Sequence, residues 1–529
     1  MTRSFDLPGR SPVIAENGMA ATSHPLATAS ALDVLRQGGN AVDAALAASA
    51  TLVVVEPHMT GIGGDCFVIL AEPDGSVHGL NGSGRAPAGA DPARLRAEGF
   101  AAMPEFGPHS VTVPGAVKAW ETLHARFGAL PFERLFADAI RYAEEGYAIH
   151  ARVAADWAGQ ASELAGDEGA ARHYLVDGKA PALGSRHRMP ALAATLRRIA
   201  REGAGAFYEG EIAAEIASTV RAKGGTLSED DLAGATAEWV ELISTPYAGY
   251  DILEIPPNGQ GITALILLNL LDRLGAGGLG PDSPERYHLQ IEAARLAYSV
   301  RDHMVADPRA MTLSPATLLS RHYTALLAER FDPARRNPDT TLPKVPASDT
   351  VYLTVVDRDR RAVSFINSVY DSFGSRIVTP KSAIALQNRG ACFTLGEGHP
   401  NEYGPGKRPM HTIIPAMAMK NGRPAVSFGV MGGAYQPMGH AHVFSNLADH
   451  GMDPQQALDH PRLFWGEDGV LEAEAGISDE VRASLTNKGH ALRPTAKPHG
   501  GGQVIVIDER SGFLVGGSDP RKDGLALGW

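Results

Sequence analysis

Residues 334–367 read ARRNPDTTLPKVPASD and then TVYLTVVDRDRRAVSFIN, and the two segments meet at the Asp349–Thr350 bond. The first segment is polar and rich in proline, which is typical of an exposed linker, where chains are cut. The second segment alternates apolar and polar residues, breaks at a charged turn and alternates again. This pattern predicts a β-hairpin over 350–367, directly after the linker.

The chain differs in character on the two sides of this junction. Before it, helical spacing of apolar residues predicts helices over 26–37, 41–53, 117–127, 132–145, 189–202, 211–223, 262–274 and 284–303. After it, the pattern predicts strands over 376–379, 383–387, 412–419, 424–430, 502–508 and 512–516, with helices over 437–450 and 453–459. Helices followed by antiparallel strands predict an α+β fold with helices layered on a sheet.

The composition excludes several classes of function. The chain has 529 residues, a net charge of −12 and two cysteines, Cys66 and Cys392. An acidic chain without a basic face is not typical of nucleic-acid binding, and two cysteines do not make a disulfide framework. No apolar run has the length of a membrane span or a signal peptide. We therefore expect a cytoplasmic protein without nucleic-acid or membrane partners.

The position of Thr350 gives it a chemistry that a threonine inside a strand lacks. A cut before Thr350 would leave a free amine beside its own hydroxyl, and an N-terminal amine can serve as the base that activates a weak hydroxyl nucleophile. The reference pKa of such an amine is near 8, so part of it is neutral at working pH. Before the cut, the same hydroxyl can attack the carbonyl of Asp349. One residue would then serve both self-cleavage and turnover.

Several segments together resemble the γ-glutamyltransferase (glutathione hydrolase) family of N-terminal nucleophile hydrolases. They are ASALDVLRQGGNAVDAALAASATLVVVEPHMTGIGGDCFV (29–68), SGRAPAGA (83–90), TVPGAVKAWE (112–121), PPNGQGITAL (256–265), DTVYLTVVDRDRRAVSFINSVYDSFGSRIV (349–378), GPGKRP (404–409), MGGAYQP (431–437) and GGSDPRKDG (516–524). The resemblance implies a four-layer αββα sandwich. It also implies cleavage into a large subunit, 1–349, and a small subunit, 350–529. These would interweave into one globular heterodimer, alone or as a dimer of heterodimers.

The family's site residues carry over onto matching positions. Thr350 matches the nucleophile, and Ser368 stands where members usually have a second threonine that bonds to the nucleophile. Gly432 and Gly433 match the pair whose backbone N–H groups stabilise the oxyanion. Arg85 matches the arginine that holds the substrate's carboxylate, a task suited to a forked guanidinium.

The chain departs from the family pattern where members acting on glutathione bind the α-amino group. Those positions hold Tyr370, Arg389 and Cys392, and a cation at Arg389 would repel an ammonium group. His411 and Thr412 replace two serines on the carboxylate side. The resemblance then implies a small anionic amide without a free α-amino group as substrate, as in the oxamate amidohydrolase subgroup.

Two alternative functions stay open at this point. One is a γ-glutamyl hydrolase or transpeptidase acting on glutathione, and the other is an uncleaved, non-catalytic binding protein on the same scaffold. His440 and His442 stand two residues apart in a predicted helix, so they point apart, and no third ligand is evident. We therefore expect no metal and no cofactor. Cys392 is either a pocket wall or a thiol made reactive by Arg389, and the sequence does not place His399.

Overall fold

The computed structural model describes residue 6 and residues 9–343 and 349–529. Part of the predicted linker, residues 344–348, lies outside the described residues. Among the described helices, none is long and apolar enough to cross a membrane.

The strands are numbered along the chain. They are β1 (Val13–Ala15), β2 (Met19–Thr22), β3 (Asp65–Ala71), β4 (Val77–Gly82), β5 (Tyr147–Ala148), β6 (Arg186–His187), β7 (Glu238–Val240), β8 (Ile243–Tyr247), β9 (Tyr250–Glu254), β10 (Asp349–Val356), β11 (Ala362–Tyr370), β12 (Ala416–Lys420), β13 (Arg423–Met431), β14 (Leu463–Trp465), β15 (Leu471–Ala473), β16 (Leu492–Pro494), β17 (Gly501–Ile507), β18 (Leu514–Ser518) and β19 (Leu525–Gly528).

The α-helices are numbered in the same way. They are α1 (Pro25–Arg36), α2 (Ala41–Val55), α3 (Pro92–Ala97), α4 (Ala116–Phe127), α5 (Ala137–Glu145), α6 (Ala151–Ala158), α7 (Ala161–Leu164), α8 (Glu168–Tyr174), α9 (Pro190–Glu202), α10 (Gly205–Tyr208), α11 (Gly210–Ala222), α12 (Glu229–Ala233), α13 (Gly261–Arg273), α14 (Pro284–Met304), α15 (Pro315–Leu318), α16 (Arg321–Ala328), α17 (Gln436–Ala448), α18 (Pro454–Asp459) and α19 (Asp479–Asn487).

Two antiparallel sheets form the centre of the molecule. The hairpin sheet has the order β19-β2-β10-β11-β3-β4-β7, and the second sheet has the order β1-β18-β17-β13-β12-β9-β8. Each sheet mixes strands from before and after the Asp349–Thr350 bond. The two parts of the chain are therefore interwoven in both sheets.

Helices cover the outer faces of both sheets. The hairpin sheet packs against α1 and α2 on its outer face, while β10 and β11 face β13 and β17 across the interior. On the other side, α13 and α17 pack against the second sheet, and α14 packs on α13. The α+β fold and its four-layer αββα arrangement are confirmed.

The longest periodic segments folded as their sequences predict. For example, Asn40 caps α2 through a capping box with Asp43, which satisfies backbone N–H groups that a helix start leaves without partners. The predicted helix over 132–145 begins with a 3₁₀ segment, Phe132–Phe136, before α5.

Two predicted strands are wrong. Residues 376–379 and 383–387 form an irregular turn structure with two isolated bridges, Val378 to Ala385 and Leu386 to Gly63. Arg376 and Ala383 have φ angles of 65° and 57°, in the left-handed region, which interrupts an extended strand. These residues are all buried, and the two segments still hydrogen-bond to each other between Leu386 and Ile377 and between Thr379 and Ile384. A distorted pairing therefore underlies the apolar pattern.

Candidate active site

Thr350 and Ser368 face each other at an irregularity between the two strands of the hairpin. Asp349 pairs with Tyr370 and Val351 pairs with Asn367, so Ser368 and its neighbour lie opposite Thr350 alone. The Thr350 hydroxyl donates to Ser368 Oγ across 3.2 Å, and both residues are fully buried. A bulge of this kind bends a strand and re-aims its side chains, and here it brings two hydroxyls together.

Arg389 connects Ser368 to the segment before β12. Its Nη2 donates to Ser368 Oγ at 3.2 Å, and its Nη1 donates to Thr412 Oγ1 at 2.7 Å. The guanidinium also lies 4.4 Å from the centre of the Tyr370 ring, a cation–π contact. Arg389 is fully buried, so these contacts hold a positive charge one side chain away from Thr350.

Tyr370 has a strained backbone that its neighbours maintain. Its φ is 84°, which is rare for an aromatic residue. Its N–H donates to Ser368 Oγ at 2.8 Å, which holds the turn in place. Burial raises the pKa of the Tyr370 hydroxyl well above its ordinary value, and the neighbouring Cys392 acts in the same direction. The phenol therefore stays neutral, and its ring packs beside Arg389.

Gly432 and Gly433 form the turn between β13 and α17. Their φ angles are 115° and 53°, both in the left-handed region that favours glycine. A Cβ on Gly432 would lie 2.8 Å from the Cα of Gly500. The chain therefore requires glycine here for both backbone conformation and space, which suits backbone N–H groups exposed to a ligand.

Asp65 joins four chain segments beneath the site. Its Oδ1 accepts from the backbone N–H groups of Gly84 and Gly115 and from the side chain of Gln387, at 2.9, 3.0 and 2.9 Å. Its Oδ2 lies 3.0 Å from His411 Nε2. The sequence did not indicate the role of Asp65, because its partners are distant along the chain.

His411 is engaged within the protein on both ring nitrogens. Its Nδ1 accepts from the Ile413 N–H at 3.3 Å, and its Nε2 faces Asp65. Burial, and then the charge of Arg389, lower the pKa of His411 to about 3. The ring is therefore neutral and positions the segment that carries Thr412. Its predicted contact with substrate stays a prediction that this geometry does not favour.

Arg85 lies in a separate cluster of charges. Its guanidinium contacts Glu238 Oε1 at 3.0 Å and Asp307 Oδ2 at 3.5 Å, and it donates to the carbonyl of Gly406 at 3.2 Å. Arg408 contacts the second oxygen of the same Glu238 at 2.8 Å. Arg85 thus has anionic partners of its own, and its predicted contact with a substrate carboxylate stays a prediction.

Two cavities are lined by residues of the predicted site. The Tyr370 cavity has a volume of about 410 Å³ and is lined by Tyr370, Cys392, Arg301, Glu105 and other residues. The Gly432 cavity has a volume of about 390 Å³ and is lined by Gly432 and an aromatic wall of Tyr435, Phe464, Trp465 and His499. Glu105 borders both cavities.

The histidines of α17 have partners within the fold. His440 Nδ1 lies 2.8 Å from Glu254 Oε1, and His442 Nε2 lies 3.2 Å from His460 Nδ1. Among the residues that the structure describes, no group of three or more His, Cys, Asp or Glu side chains could hold a metal ion. His399 Nε2 lies 3.1 Å from the carbonyl of Asp302, at the rim of the Tyr370 cavity.

A family model described as Gamma-glutamyltranspeptidase matches residues 27–529. The chain therefore belongs to the γ-glutamyltranspeptidase family and is an amide-hydrolysing enzyme of the N-terminal nucleophile class. Members of this family are processed into two subunits and act on small substrates.

Individual relatives cover nearly the whole chain. The glutathione hydrolase-like YwrD proenzyme of Bacillus subtilis (strain 168) is 37% identical over 98% of this chain and 99% of its own length. The oxamate amidohydrolase proenzyme of Klebsiella pneumoniae subsp. pneumoniae is 36% identical over 98% and 99%, respectively. The crystal structure of a cephalosporin acylase from Bacillus halodurans is 40% identical, with a TM-score of 0.92 over 100% of this chain and 99% of that one. The resemblance inferred from the motifs is thus confirmed.

Proposed function

We propose that this chain is a self-processing amidohydrolase in which Thr350 is the nucleophile. Its substrate is a small amide that carries a carboxylate and lacks a free α-amino group, with oxamate as the shortest example. The observation that carries this proposal is the buried guanidinium of Arg389, bonded to the same Ser368 hydroxyl that accepts from Thr350.

A charge in this position discriminates between substrates. The guanidinium group of arginine is a fixed cation in proteins. It attracts a carboxylate close to the attacked carbonyl and repels an ammonium group in the same place. In oxamate the carboxylate is bonded directly to the carboxamide. When the nucleophile attacks the carboxamide carbon, the carboxylate therefore lies close to the nucleophile, as Arg389 does.

Self-cleavage follows from the position of Thr350 at the start of β10. Its hydroxyl oxygen attacks the carbonyl carbon of Asp349, the peptide C–N bond breaks, and an ester joins Asp349 to the Thr350 side chain. Water then hydrolyses the ester, which leaves the Asp349 carboxylate and the free Thr350 amine. The products are the fragments 1–349 and 350–529.

Turnover uses the same oxygen on a substrate amide. The amine of Thr350 accepts the hydroxyl proton as the oxygen attacks, and backbone N–H groups at Gly432 and Gly433 stabilise the negative oxygen. The leaving amine or ammonia takes the proton, and water hydrolyses the acyl-enzyme. Ser368 supplies an acceptor for the Thr350 hydroxyl and fixes its direction.

A second candidate is hydrolysis of γ-glutamyl amides such as glutathione. Three carboxylates, those of Glu105, Asp302 and Glu467, line the Tyr370 cavity, which begins at the residues that contact Arg389. They could pair with an α-ammonium group that extends past Arg389.

A panel of three amides distinguishes these functions. Glutaryl-p-nitroanilide and γ-glutamyl-p-nitroanilide differ only by the α-amino group, and oxamate tests the shortest anion. We expect faster release from the glutaryl compound than from the γ-glutamyl compound, and ammonia from oxamate. The reverse order would support γ-glutamyl hydrolysis instead.

Thr350→Ala is the control for every activity in this panel. The wild type should yield two fragments whose masses correspond to cleavage between Asp349 and Thr350, and the variant should remain one chain without amidase activity. A single full-length chain in both proteins, with no hydrolysis, would support the uncleaved binding protein.

A further inference from the structure

We infer that Gln260 is a positioning residue for this site, because its one side-chain amide joins the substrate-binding segment to the glycine turn. Gln260 lies in the PPNGQG motif (256–261), directly before α13, and is fully buried. This inference rests on the proposed function, since it assigns the support of the proposed oxyanion donors.

The carboxamide uses both of its ends. Its Nε2 donates to the carbonyl of Thr412 at 2.7 Å and to the carbonyl of Gly433 at 2.8 Å. Its Oε1 accepts from Arg301 Nη1 at 3.1 Å. The backbone N–H of Gln260 also donates to the carbonyl of His411 at 2.9 Å. Gln260 therefore contacts both the segment of His411 and Thr412 and the glycine turn at Gly433.

The orientation of this amide is fixed by its partners. A guanidinium only donates hydrogen bonds, so the oxygen of Gln260 faces Arg301. The carbonyls of Thr412 and Gly433 only accept, so the amino group faces them. A flipped amide would lose all three hydrogen bonds inside the core, where each unmet polar group costs about 1–3 kcal/mol.

The two carbonyls belong to the parts of the site that act on substrate. Thr412 holds Arg389 through its hydroxyl, and Gly433 is one of the proposed oxyanion donors. The next carbonyl, that of Ala434, accepts from the Tyr298 hydroxyl, and Arg301 stacks on Tyr298 at 4.5 Å. Gln260 and Arg301 thus hold the distance between the cationic side of the site and the glycine turn.

Arg301 also lines the Tyr370 cavity. One hydrogen-bonded chain therefore runs from the cavity wall through Gln260 to the glycine turn. A small displacement of the reacting groups can lower the rate by about 100-fold. Gln260 therefore affects catalysis by holding the site in place, although it does not contact the substrate.

The sharpest test is Gln260→Glu. The substituted carboxylate keeps an acceptor for Arg301 but places an oxygen against the carbonyls of Thr412 and Gly433. We expect self-cleavage and kcat to fall together, by about 10- to 100-fold, with a smaller change in KM. Gln260→Met, which adds no charge, should show the same direction.

Gln455 supplies a matched control in α18. It is also buried, and its side chain donates to Asp459 and to the Ser518 carbonyl at 2.8 and 2.9 Å and accepts from the Ser518 N–H at 3.1 Å. Gln455→Glu and Gln455→Met should lower Tm to a similar extent and leave kcat and the cleavage rate near wild type.

The possible outcomes distinguish the positioning role of Gln260 from the proposed function. Loss of rate in the Gln260 variants but not in the Gln455 variants supports the positioning role. Equal rates in wild type and Gln260 variants, or equal loss in both sets at matched Tm, would overturn it while the proposed function stands. A wild type that neither cleaves itself nor hydrolyses any amide would remove the proposed function, and this inference with it.

Discussion

Asp65 and His411 form a fully buried pair, with Asp65 Oδ2 3.0 Å from His411 Nε2. Because His411 Nδ1 accepts the Ile413 N–H, the proton of the neutral ring lies on Nε2 and is donated to Asp65. The pair links β3, which is paired with β11 of the hairpin, to the segment that holds Thr412. Its stability requires a neutral imidazole, and this gives the fold a predictable dependence on pH.

We expect the protein to lose stability as pH falls from about 6.5 toward 3. Burial lowers the pKa of His411, His440 and His490 to about 3 and that of His187 to about 4. In this range the unfolded chain binds protons at these histidines and the folded chain does not. The free energy of unfolding therefore falls by about 1.4 kcal/mol for each of these histidines and each unit of its pKa shift.

Thermal unfolding between pH 4 and pH 8 checks this prediction. Tm should fall steeply below pH 6, and the slope should be shallower in His490→Asn, which removes one of the four groups. A Tm that is flat between pH 4 and pH 6.5 would contradict the prediction.

Ser368→Ala should slow catalysis and destabilise the end of β11 at Tyr370. The substitution removes the acceptor for the Thr350 hydroxyl, the Tyr370 N–H and Arg389 Nη2. Leaving such buried donors without a partner costs about 1–3 kcal/mol. Ser368→Thr keeps the oxygen and should retain most activity.

The matched control for Ser368 is Ser364→Ala on the same strand. Ser364 is also fully buried, but its partner is the Tyr352 hydroxyl at 2.7 Å. Self-cleavage followed by denaturing gel should be slow in Ser368→Ala and normal in Ser364→Ala. Equal rates in the two variants would argue against a role for Ser368 at the nucleophile.

Arg389→Gln should change substrate preference. Glutamine is neutral and cannot make a charge-assisted bond to a substrate carboxylate. We expect the loss of this bond to lower kcat/KM by about 10- to 100-fold. The substitution also removes the repulsion of an ammonium group. We therefore expect the ratio of glutaryl to γ-glutamyl p-nitroanilide hydrolysis to fall.

Arg286→Gln controls for the loss of a buried arginine. Arg286 lies on α14 and bonds to Ser445 and Asn446 at 2.9 and 2.7 Å. This variant should lower Tm and leave the substrate ratio unchanged. If Arg389→Gln also left the ratio unchanged, substrate selection would lie elsewhere.

Gly432→Ala should reduce kcat by about 100- to 1,000-fold, as expected when an oxyanion donor is displaced. The added methyl group would lie 2.8 Å from Gly500 Cα, and φ is 115°. Gly275→Ala imposes a similar positive φ of 74° with nothing within 4 Å, so it should affect Tm but not kcat. Steady-state kinetics on the mature proteins compares the two.

The sequence by itself determined the layers and the junction. Apolar residues at helical spacing specify α1 and α2, and the alternation over 350–367 specifies the hairpin, because both patterns are read within one short window. The motifs also identified the family, and they predicted Thr350, Ser368 and the glycine pair as site residues. These features depend on local propensity and on short spacing along the chain.

Only the tertiary structure decided how the site is assembled. Arg389 bonds to Ser368 near the end of β11, Arg85 meets Glu238 and Asp307, and Gln260 joins Thr412 to Gly433. Glu238 and Asp307 are more than a hundred residues from Arg85, and Thr412 and Gly433 are more than a hundred residues from Gln260. Packing of two sheets sets these distances, and a buried polar group takes whichever partner that packing brings within reach.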